Sequence, residues 1–232
     1  MLAILAKRIL RAFDDEIECG EILLAIVTSD ESENREFEKF SSLGVRVFYG
    51  SRSNIPLRHL HAAQALDVDA IVAVDGDDIL CSTEAMRVVC DGLSSGGVYV
   101  KTSGLPLGMN AFGYRREFLA ASLAGNEKKT LETGWGSIFD DSRMLDCSLD
   151  LGFNTKESLR FTLDYPEDYE FFKSIVERFG ESIVSVSDGE IVTYVLEKEL
   201  DKLTDPVSDK YWEDFRVVQA NEIRQGKNSE GA

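Results

Sequence analysis

Three carboxylates stand together directly after a short apolar run. Asp75, Asp77 and Asp78 surround Gly76 and follow residues 70–74, which are apolar without interruption. Such a run is typical of a strand buried on both faces of a parallel sheet, and open α/β sheets bind their ligands at the carboxyl ends of their strands. Because three closely spaced carboxylates repel one another, a cation or a well-hydrated opening should accompany them. An ordinary turn rich in Asp and Gly is the alternative.

A second predicted strand also ends in an acidic residue. Apolar residues alternate over 159–163, which predicts a strand, and Asp164 follows it, two residues before Pro166 begins a helix. The ends of parallel strands meet at one edge of a sheet, so Asp77 and Asp164 are expected to lie close together. Two carboxylates suit Mg²⁺, which fills its other positions with water and phosphate oxygens. Alternatively, Asp164 only caps its helix.

Strand and helix patterns alternate three times before residue 100 and predict a Rossmann-like α/β fold. The sheet is expected to be mainly parallel, with helices on both faces. The predicted segments are helices at 2–13, 31–43, 56–66, 115–123 and 188–203, helices that start at Ser82 or Thr83 and at Pro166, and strands at 21–28, 45–48, 69–74 and 98–101.

The chain is predicted to form one domain over residues 1–224. Residues 100–157 are in large part polar and irregular, as in an insertion that forms a substrate lid or a dimer contact. Residues 225–232 are polar and are predicted to be a disordered tail.

Charge excludes several classes of partner. Asp plus Glu number 42 against 25 for Lys plus Arg, for a net charge of −17, which argues against binding to nucleic acid or to an anionic membrane. The four cysteines are far apart and form no CxxC pair, so a reduced, cytoplasmic protein is expected. No run is long enough to span a membrane, and the start lacks the pattern of a signal peptide. An acidic protein that handles an anionic substrate needs metal ions or a local basic pocket.

Several short motifs resemble one enzyme family in their order and spacing. They are Thr28-Ser-Asp30, Val47-Phe-Tyr-Gly50, Arg58 with Ala62-Ala63, Asp75-Gly-Asp77, Leu105-Pro-Leu-Gly108 and Leu163-Asp-Tyr-Pro-Glu-Asp-Tyr-Glu170. Together they resemble the cytidylyltransferases that activate acidic sugars, including 3-deoxy-manno-octulosonate and acylneuraminate cytidylyltransferases, and most closely the branch named for spore-coat polysaccharide biosynthesis. The resemblance covers about residues 1–180. The motif at 163–170 is its most specific part, whereas Asp-Gly-Asp alone is a weak signal.

The resemblance implies a fold of the nucleotide-diphospho-sugar transferase type and a nucleotidyl transfer in surface-polysaccharide biosynthesis. A hydroxyl of an acidic sugar would attack the α-phosphate of CTP and release pyrophosphate. Asp77 and Asp164 match the two metal-binding aspartates of the family, and Arg58 matches a basic position near the substrates. A solvated helix arginine is the alternative for Arg58. The resemblance also implies a homodimer formed partly by residues 100–155.

The remaining candidates concern substrate binding. Asp75 adjoins the implied metal ligand, and Lys101, Arg115 and Arg160 could form a basic pocket for a sugar carboxylate. Each of these three cations could equally be an ordinary surface charge.

The chain departs from the family pattern at its start. The strand and the loop of Gly, Arg and Ser that grip the triphosphate precede the first helix in the family and have no counterpart before residues 2–13. Without that strand, Leu23 and Ile26 should lie along an open edge. Either translation starts upstream of Met1 or this is a shortened relative. Ile79 also replaces the proline that usually follows the metal-binding aspartate.

Two other functions compete with the cytidylyltransferase hypothesis, so enzymatic activity itself is left open. Asp75-Gly-Asp77 has the DxD form of metal-dependent glycosyltransferases that use nucleotide-sugar donors. A catalytically degenerate subunit that regulates an active homologue would also account for the absent loop.

Overall fold

The protein has an α/β fold in which two sheets are flanked by helices. The computed structural model describes the backbone of residues 1–150, 152 and 159–229 and the side chains through residue 221. The helices are α1 (Leu2–Ala12), α2 (Asp14–Glu18), α3 (Ile55–Ala65), α4 (Thr83–Ser94), α5 (Arg116–Leu123), α6 (Pro166–Phe179), α7 (Asp188–Glu197) and α8 (Asp201–Ser229). The strands are β1 (Ala25–Ser29), β2 (Arg46–Gly50), β3 (Ala70–Ala73), β4 (Tyr99–Ser103), β5 (Phe112–Arg115) and β6 (Met144–Ser148). The predicted α/β class is confirmed.

Parallel and antiparallel pairs both occur among these strands. β1 pairs with β2 in parallel, and the other sheet has the order β3-β5-β4-β6. β4 and β6 are parallel, whereas β5 runs antiparallel to both of its neighbours. Neither β5 nor β6 was predicted, because both lie where the sequence is irregular or polar.

Helices cover both faces of the four-stranded sheet. Side chains alternate between the faces of a strand, so Ile71 and Tyr99 pack with the helices α3 and α5, whereas Val72 and Val100 pack against α4. The helix α3 contacts β1 and β2 as well as β3, and it therefore bridges the two sheets.

The edges of β1 and β3 are open within the described part of the chain. Each of these strands has one hydrogen-bonded neighbour there. Leu23, just before β1, is 39% exposed, and Ile26 is half-buried. These exposures agree with the open edge that the sequence predicts.

Several predicted elements differ in detail. Residues 32–43 form a 3-10 helix that ends at Gly44 in the left-handed conformation. The predicted strand at 159–163 is wrong as a strand, because its one bridge joins Arg160 to Leu107. The segment contacts loops there in place of a continuous neighbouring strand. The predicted helix at 188–203 is interrupted between Glu197 and Asp201, where Glu199 has a φ of 53°.

Local capping accounts for the start of α4. The Ser82 hydroxyl accepts a hydrogen bond from the Ala85 N–H, as expected for an N-cap serine. The same hydroxyl donates to Asp188 at 2.6 Å, and Arg8 of α1 donates to the other carboxylate oxygen at 2.7 Å. This buried cluster joins α1, α4 and α7.

The C-terminal helix α8 packs against α6 and extends to Ser229. Of the predicted tail, residues 230–232 lie outside the described residues, as do residues 151 and 153–157 of the predicted insertion. Among the described residues, every helix is too short or too polar to cross a bilayer.

Candidate active site

The three aspartates form a tight turn after β3. The N–H of Asp78 donates to the carbonyl of Asp75 at 3.1 Å, and the N–H of Ile79 donates to the carbonyl of Asp77 at 3.0 Å. The turn packs against the core through the buried residues Ile79, Leu80 and Cys81. Ile79 thus uses a backbone donor that proline does not have.

The predicted partner strand reaches this turn even though it is not a regular strand. The Leu163 N–H donates to the carbonyl of Asp77 at 3.1 Å, directly before Asp164. The Phe161 N–H donates to the carbonyl of Leu107 at 2.7 Å. Asp77 and Asp164 are therefore brought together, as the sequence predicts.

Gly108 fits a position that a larger residue could not occupy. Its φ is +83°, and a Cβ there would lie 2.5 Å from the carbonyl oxygen of Phe161 and 2.9 Å from Oδ1 of Asp78. Glycine is the residue that tolerates both the left-handed backbone and the close approach. The motif at 105–108 thus places backbone directly against the acidic turn.

A buried arginine organises the second half of the site. Arg160 is 2% exposed, and its Nη2 donates to both carboxylate oxygens of Asp168 at 2.6 and 2.7 Å. Asp168 is fully buried and also accepts from the backbone N–H groups of Asp164 and Tyr165. These bonds connect the start of α6 to Arg160 and fix the backbone at Asp164.

Only one oxygen of Asp164 is used by these contacts. Oδ2 accepts from the Thr162 hydroxyl at 2.6 Å and from Arg160 Nη1 at 3.0 Å. No described residue donates to Oδ1. The side chain is thus oriented by Oδ2, and Oδ1 is available to a ligand.

The carboxylates of the turn carry unbalanced charge. Although solvent reaches them, burial by the surrounding protein and, to a smaller extent, the negative charge of Asp77 together raise the pKa of Asp75 to about 6 and that of Asp78 to about 9. Burial is also the main cause that raises the pKa of Asp77, and Asp164 adds to it. A cation bound here would relieve this repulsion.

The available ligand atoms are of the type that Mg²⁺ prefers. Asp77 and the free oxygen of Asp164 are hard oxygen ligands, and Mg²⁺ is commonly held by one or two carboxylates together with substrate phosphates. Within the described ranges, no three His, Cys, Asp or Glu side chains are arranged to hold one metal ion by themselves. The fit therefore depends on oxygens from water and from a ligand.

A cavity opens beside Asp75 and Asp164, and a second cavity adjoins it. The first, here called the acidic cavity, has a volume of about 280 Å³ and is lined by Asp75, Glu132, Thr133, Gly134, Trp135, Asp164, Tyr165, Tyr211, Asp214, Phe215 and Val218. The second, here called the arginine cavity, has a volume of about 500 Å³ and is lined by Ser29, Glu31, Arg52, Ile55, Arg58 and Glu132. Glu132 lies on the wall of both.

Arg58 is placed where a substrate could reach it. Its Nε is buried and has no hydrogen-bond partner among the described residues. Gly50 at the end of β2 leaves room for its side chain, since a Cβ there would lie 2.8 Å from the Arg58 Cγ. Arg52 in the same cavity is paired with Glu31 at 2.6 Å.

The other predicted substrate-binding cations lie elsewhere. Arg115 pairs with Ala70 at the start of β3, and its guanidinium donates to the carbonyls of Leu93 and Gly97. That is the end of the strand opposite to Asp75. Lys101 is exposed on β4 and lines neither cavity. Arg160 lies beneath Asp164, where its two Nη atoms are occupied by carboxylates and a hydroxyl.

Sequence reasoning missed the contribution of α8 and the role of Asp168. Asp168 lies in the first turn of α6 and is the main partner of Arg160, a contact that the motif at 163–170 does not indicate by itself. Tyr211 and Asp214 line the acidic cavity from a helix whose length was not predicted. Aromatic residues at 211, 212 and 215 alternate with acidic ones, and that pattern could have indicated a contact surface.

Comparison with solved structures identifies proteins that share this fold. A cytidylyltransferase from Leptospira borgpetersenii serovar Hardjo-bovis aligns over 87% of this chain and 85% of its own, with a TM-score of 0.69 and 18% sequence identity. A putative nucleotide-diphospho-sugar transferase from Desulfovibrio desulfuricans aligns weakly, with 16% identity over 87% of this chain and 84% of its own and a TM-score of 0.46. The chain therefore shares its fold with a cytidylyltransferase.

Comparison of sequences is less informative. No family model matches the chain. The uncharacterized protein MJ1063 of Methanocaldococcus jannaschii is 23% identical over 177 residues, which are 75% of this chain and 72% of that protein.

Proposed function

We propose that this protein is a Mg²⁺-dependent nucleotidyltransferase that transfers a cytidylyl group from CTP to a sugar hydroxyl and releases pyrophosphate. The observation that carries the proposal is the proximity of Asp77 and Asp164 at one end of the sheet, where Asp164 lines the acidic cavity and Glu132 connects that cavity to the arginine cavity. A fold shared with a cytidylyltransferase supports it. The CMP-sugar would be a donor for surface-polysaccharide assembly, which is the role that the resemblance implies.

Each group has a distinct task in this proposal. Asp77 and Asp164 would hold Mg²⁺, which when bound neutralises phosphate charge and polarises the phosphorus under attack. Thr162 and Arg160 fix Asp164 through Oδ2, so that its other oxygen has a defined direction. Asp75 lies on the wall of the acidic cavity, where it would contact the acceptor.

The arginine cavity is the place for the phosphates of CTP. Arg58 lines this cavity, and a guanidinium binds phosphate oxygens with favourable geometry. The cavity is also the larger of the two, as a nucleotide requires. An acceptor in the acidic cavity would then approach from the side of Asp75 and Asp164.

The test is pyrophosphate release by the purified protein with CTP and Mg²⁺ and a panel of sugars that includes the sugar acids implied by the resemblance. Release should require Mg²⁺ and be lost in Asp77→Ala. Absence of release with any nucleotide, together with equal CTP binding by Asp77→Ala and the unchanged protein, would overturn the proposal. Slow hydrolysis of a UDP- or GDP-sugar without release of pyrophosphate from CTP would favour a glycosyltransferase instead. The homodimer and the cytoplasmic location stay predictions.

A further inference from the structure

The carboxylate of Asp164 is oriented by side chains and not by a strand ladder. Among the described residues, the segment 159–163 has one β-bridge, from Arg160 to Leu107. The bonds to the carboxylate itself come from the Thr162 hydroxyl and from Arg160 Nη1. The placement of Arg160 therefore helps to set the direction in which Asp164 presents its other oxygen.

Hydrogen bonds hold Arg160 at two of its three nitrogens. Nη1 donates to Thr162 at 2.7 Å and to Asp164 at 3.0 Å, and Nη2 donates to both oxygens of Asp168. Nε is buried and has no hydrogen-bond partner in the part of the chain that the structure describes. The guanidinium is thus anchored at its outer end, and other contacts must restrict the rest of the group.

Two tyrosine rings supply such contacts. The guanidinium carbon of Arg160 lies 4.8 Å from the centre of the Tyr211 ring and 5.4 Å from the centre of the Tyr165 ring. A guanidinium within about 6 Å of a ring centre is attracted to it, and the attraction is stronger where water is excluded. Because Arg160 is buried, both contacts should restrain it.

Both rings depend on the C-terminal helix α8. Tyr211 belongs to this helix, and the Tyr165 hydroxyl donates to Oδ2 of Asp214, three residues further along it, at 2.7 Å. The family resemblance covers about residues 1–180, so α8 lies outside it. The contact between α8 and Arg160 is therefore a feature of this chain that the resemblance does not imply.

The outer half of α8 packs along a single stripe. Tyr211, Phe215 and Gln219 are half-buried at intervals of four residues, whereas the residues between them are exposed, as expected for one face of a helix. At the far end of the stripe, the close packing of Gln219 leaves no room for a Cβ at Gly134. Tyr211 is thus held at the near end of a face that is fitted to the loop before Trp135.

We propose that Tyr211 is a positioning residue that fixes the carboxylate of Asp164 by holding Arg160 in place. The inference rests on the proposed function, in which Asp164 is a metal ligand, and extends that function to a helix outside the metal site. Tyr211 acts through Arg160 and not by contact with the metal ion or the reacting groups.

The first consequence is a change in the requirement for Mg²⁺. Loss of a residue that orients a metal ligand typically lowers metal affinity by about 10–100-fold, and Tyr211 is one contact further away. Tyr211→Ala should therefore raise the Mg²⁺ concentration for half-maximal CTP binding by about tenfold, with CTP affinity at saturating Mg²⁺ nearly unchanged. Calorimetric titration of CTP at a series of Mg²⁺ concentrations measures both quantities. A loss of CTP affinity that excess Mg²⁺ does not restore would overturn the positioning role.

Two control variants separate this effect from a general loss of packing. Tyr211→Phe keeps the ring and should require the same Mg²⁺ concentration as the unchanged protein. Tyr194→Ala removes a ring that lies 5.8 Å from Arg178 and lines neither cavity, and it should also leave the requirement unchanged. An equal increase in Tyr211→Phe or in Tyr194→Ala would show that the contact of the Tyr211 ring is not the cause.

A double-mutant cycle tests the link in the absence of nucleotide and metal. Chemical denaturation gives the stability lost through Tyr211→Ala in the unchanged protein and in an Asp164→Asn background. Because residues of one contact network have non-additive effects, the two losses should differ. Tyr194→Ala, measured in the same two backgrounds, should cause equal losses. Equal losses for Tyr211→Ala would overturn the positioning role whether or not the protein binds CTP.

The two proposals can therefore fail separately. Non-additive stability without Mg²⁺-dependent CTP binding would support the link from Tyr211 to Asp164 and overturn the proposed function. Additive stability with Mg²⁺-dependent CTP binding would overturn the positioning role alone.

Discussion

The protein contains two buried Arg–Asp clusters, and they differ in whether one of the partners faces the cavity. Arg8 and Asp188 form a closed cluster, since Ser82 occupies the second carboxylate oxygen and Arg8 Nη1 donates to backbone carbonyls. Arg160 and Asp168 form an open one, because Arg160 also contacts Asp164. The first cluster joins helices, whereas the second also positions a carboxylate at the cavity.

A buried charge stabilises the fold when all of its partners are internal. It positions a binding site when one of its partners faces a ligand. At the Asp75–Asp78 turn the negative charges are not balanced, and burial and mutual repulsion raise their pKa values. Shifted pKa values of this kind are typical of functional sites.

Removal of either buried carboxylate should give the largest effect on stability. Asp188→Asn leaves the buried Arg8 without its anion, and Asp168→Asn leaves the buried Arg160 with only the partly exposed Asp164. Each substitution should lower the free energy of unfolding by about 3–5 kcal/mol. Chemical denaturation measures the loss. Only Asp168→Asn should also lower transfer activity at a temperature where both variants are folded. Equal activity of the two folded variants would show that the Arg160 cluster has no role in the site.

Asp164→Asn should affect activity with little effect on stability. The substitution keeps the shape of the side chain and removes a charge that is partly exposed. Transfer activity should fall by about 10²–10³-fold, the range seen when one electrostatic contact to a transition state is lost. Steady-state rates and thermal unfolding measure the two effects. A variant that is unstable but fully active per folded molecule would reverse the assignment.

The contribution of the acidic turn to the free energy of unfolding should decrease as the pH rises. The pKa of Asp78 is raised to about 9 in the folded protein, above the value of about 3.9 in an unfolded chain, so the unfolded state loses its proton first. Stability from this group is therefore present below about pH 4 and declines toward pH 9. Asp78→Asn should increase the free energy of unfolding at pH 8 by about 1–2 kcal/mol after solvent screening, with little change near pH 4.

A denaturation series over pH in the absence of divalent ions tests this sign. Asp188→Asn is the matched control, because its loss of stability should persist at pH 8. A loss of stability in Asp78→Asn at pH 8 would contradict the expected repulsion.

The smallest expected effect compares two hydroxyl groups. Ser82→Ala and Thr162→Val each remove a hydroxyl that donates to a carboxylate, at 2.6 Å in both cases, and each should cost about 1 kcal/mol of stability. Thr162→Val should also lower activity several-fold, because Asp164 loses one of the bonds that orient it. Kinetic constants of the two variants, compared with the unchanged protein, measure the difference.

Sequence was sufficient to predict that Asp77 and Asp164 lie close together. The apolar run before Asp75 and the Pro166 helix start placed two acidic loops, and the rule that ligands bind at strand ends brought Asp77 and Asp164 together. This proximity was predicted correctly although residues 159–163 do not form a regular strand. The hydrogen bond from the Leu163 N–H to the Asp77 carbonyl forms between loops and does not require strand pairing.

The failures have physical causes as well. Arg115 and Lys101 were chosen by charge alone, and only the register of β5 and β4 shows that they lie away from the cavities. α8 was missed because its sequence is polar, with exposed Trp212 and Val217, so it lacks the apolar stripe that indicates a packed helix. Its position depends on a few tertiary contacts to Tyr165 and Gly134 that no local pattern encodes.

The central claim, that Asp77 and Asp164 hold a metal ion for a bound nucleotide, is tested most directly by calorimetric titration of CTP with and without Mg²⁺. We expect binding that requires Mg²⁺, that is lost in Asp77→Asn and Asp164→Asn, and that is retained in Asp146→Asn, an exposed control on β6. Binding of equal strength without Mg²⁺, or in both site variants, would contradict it.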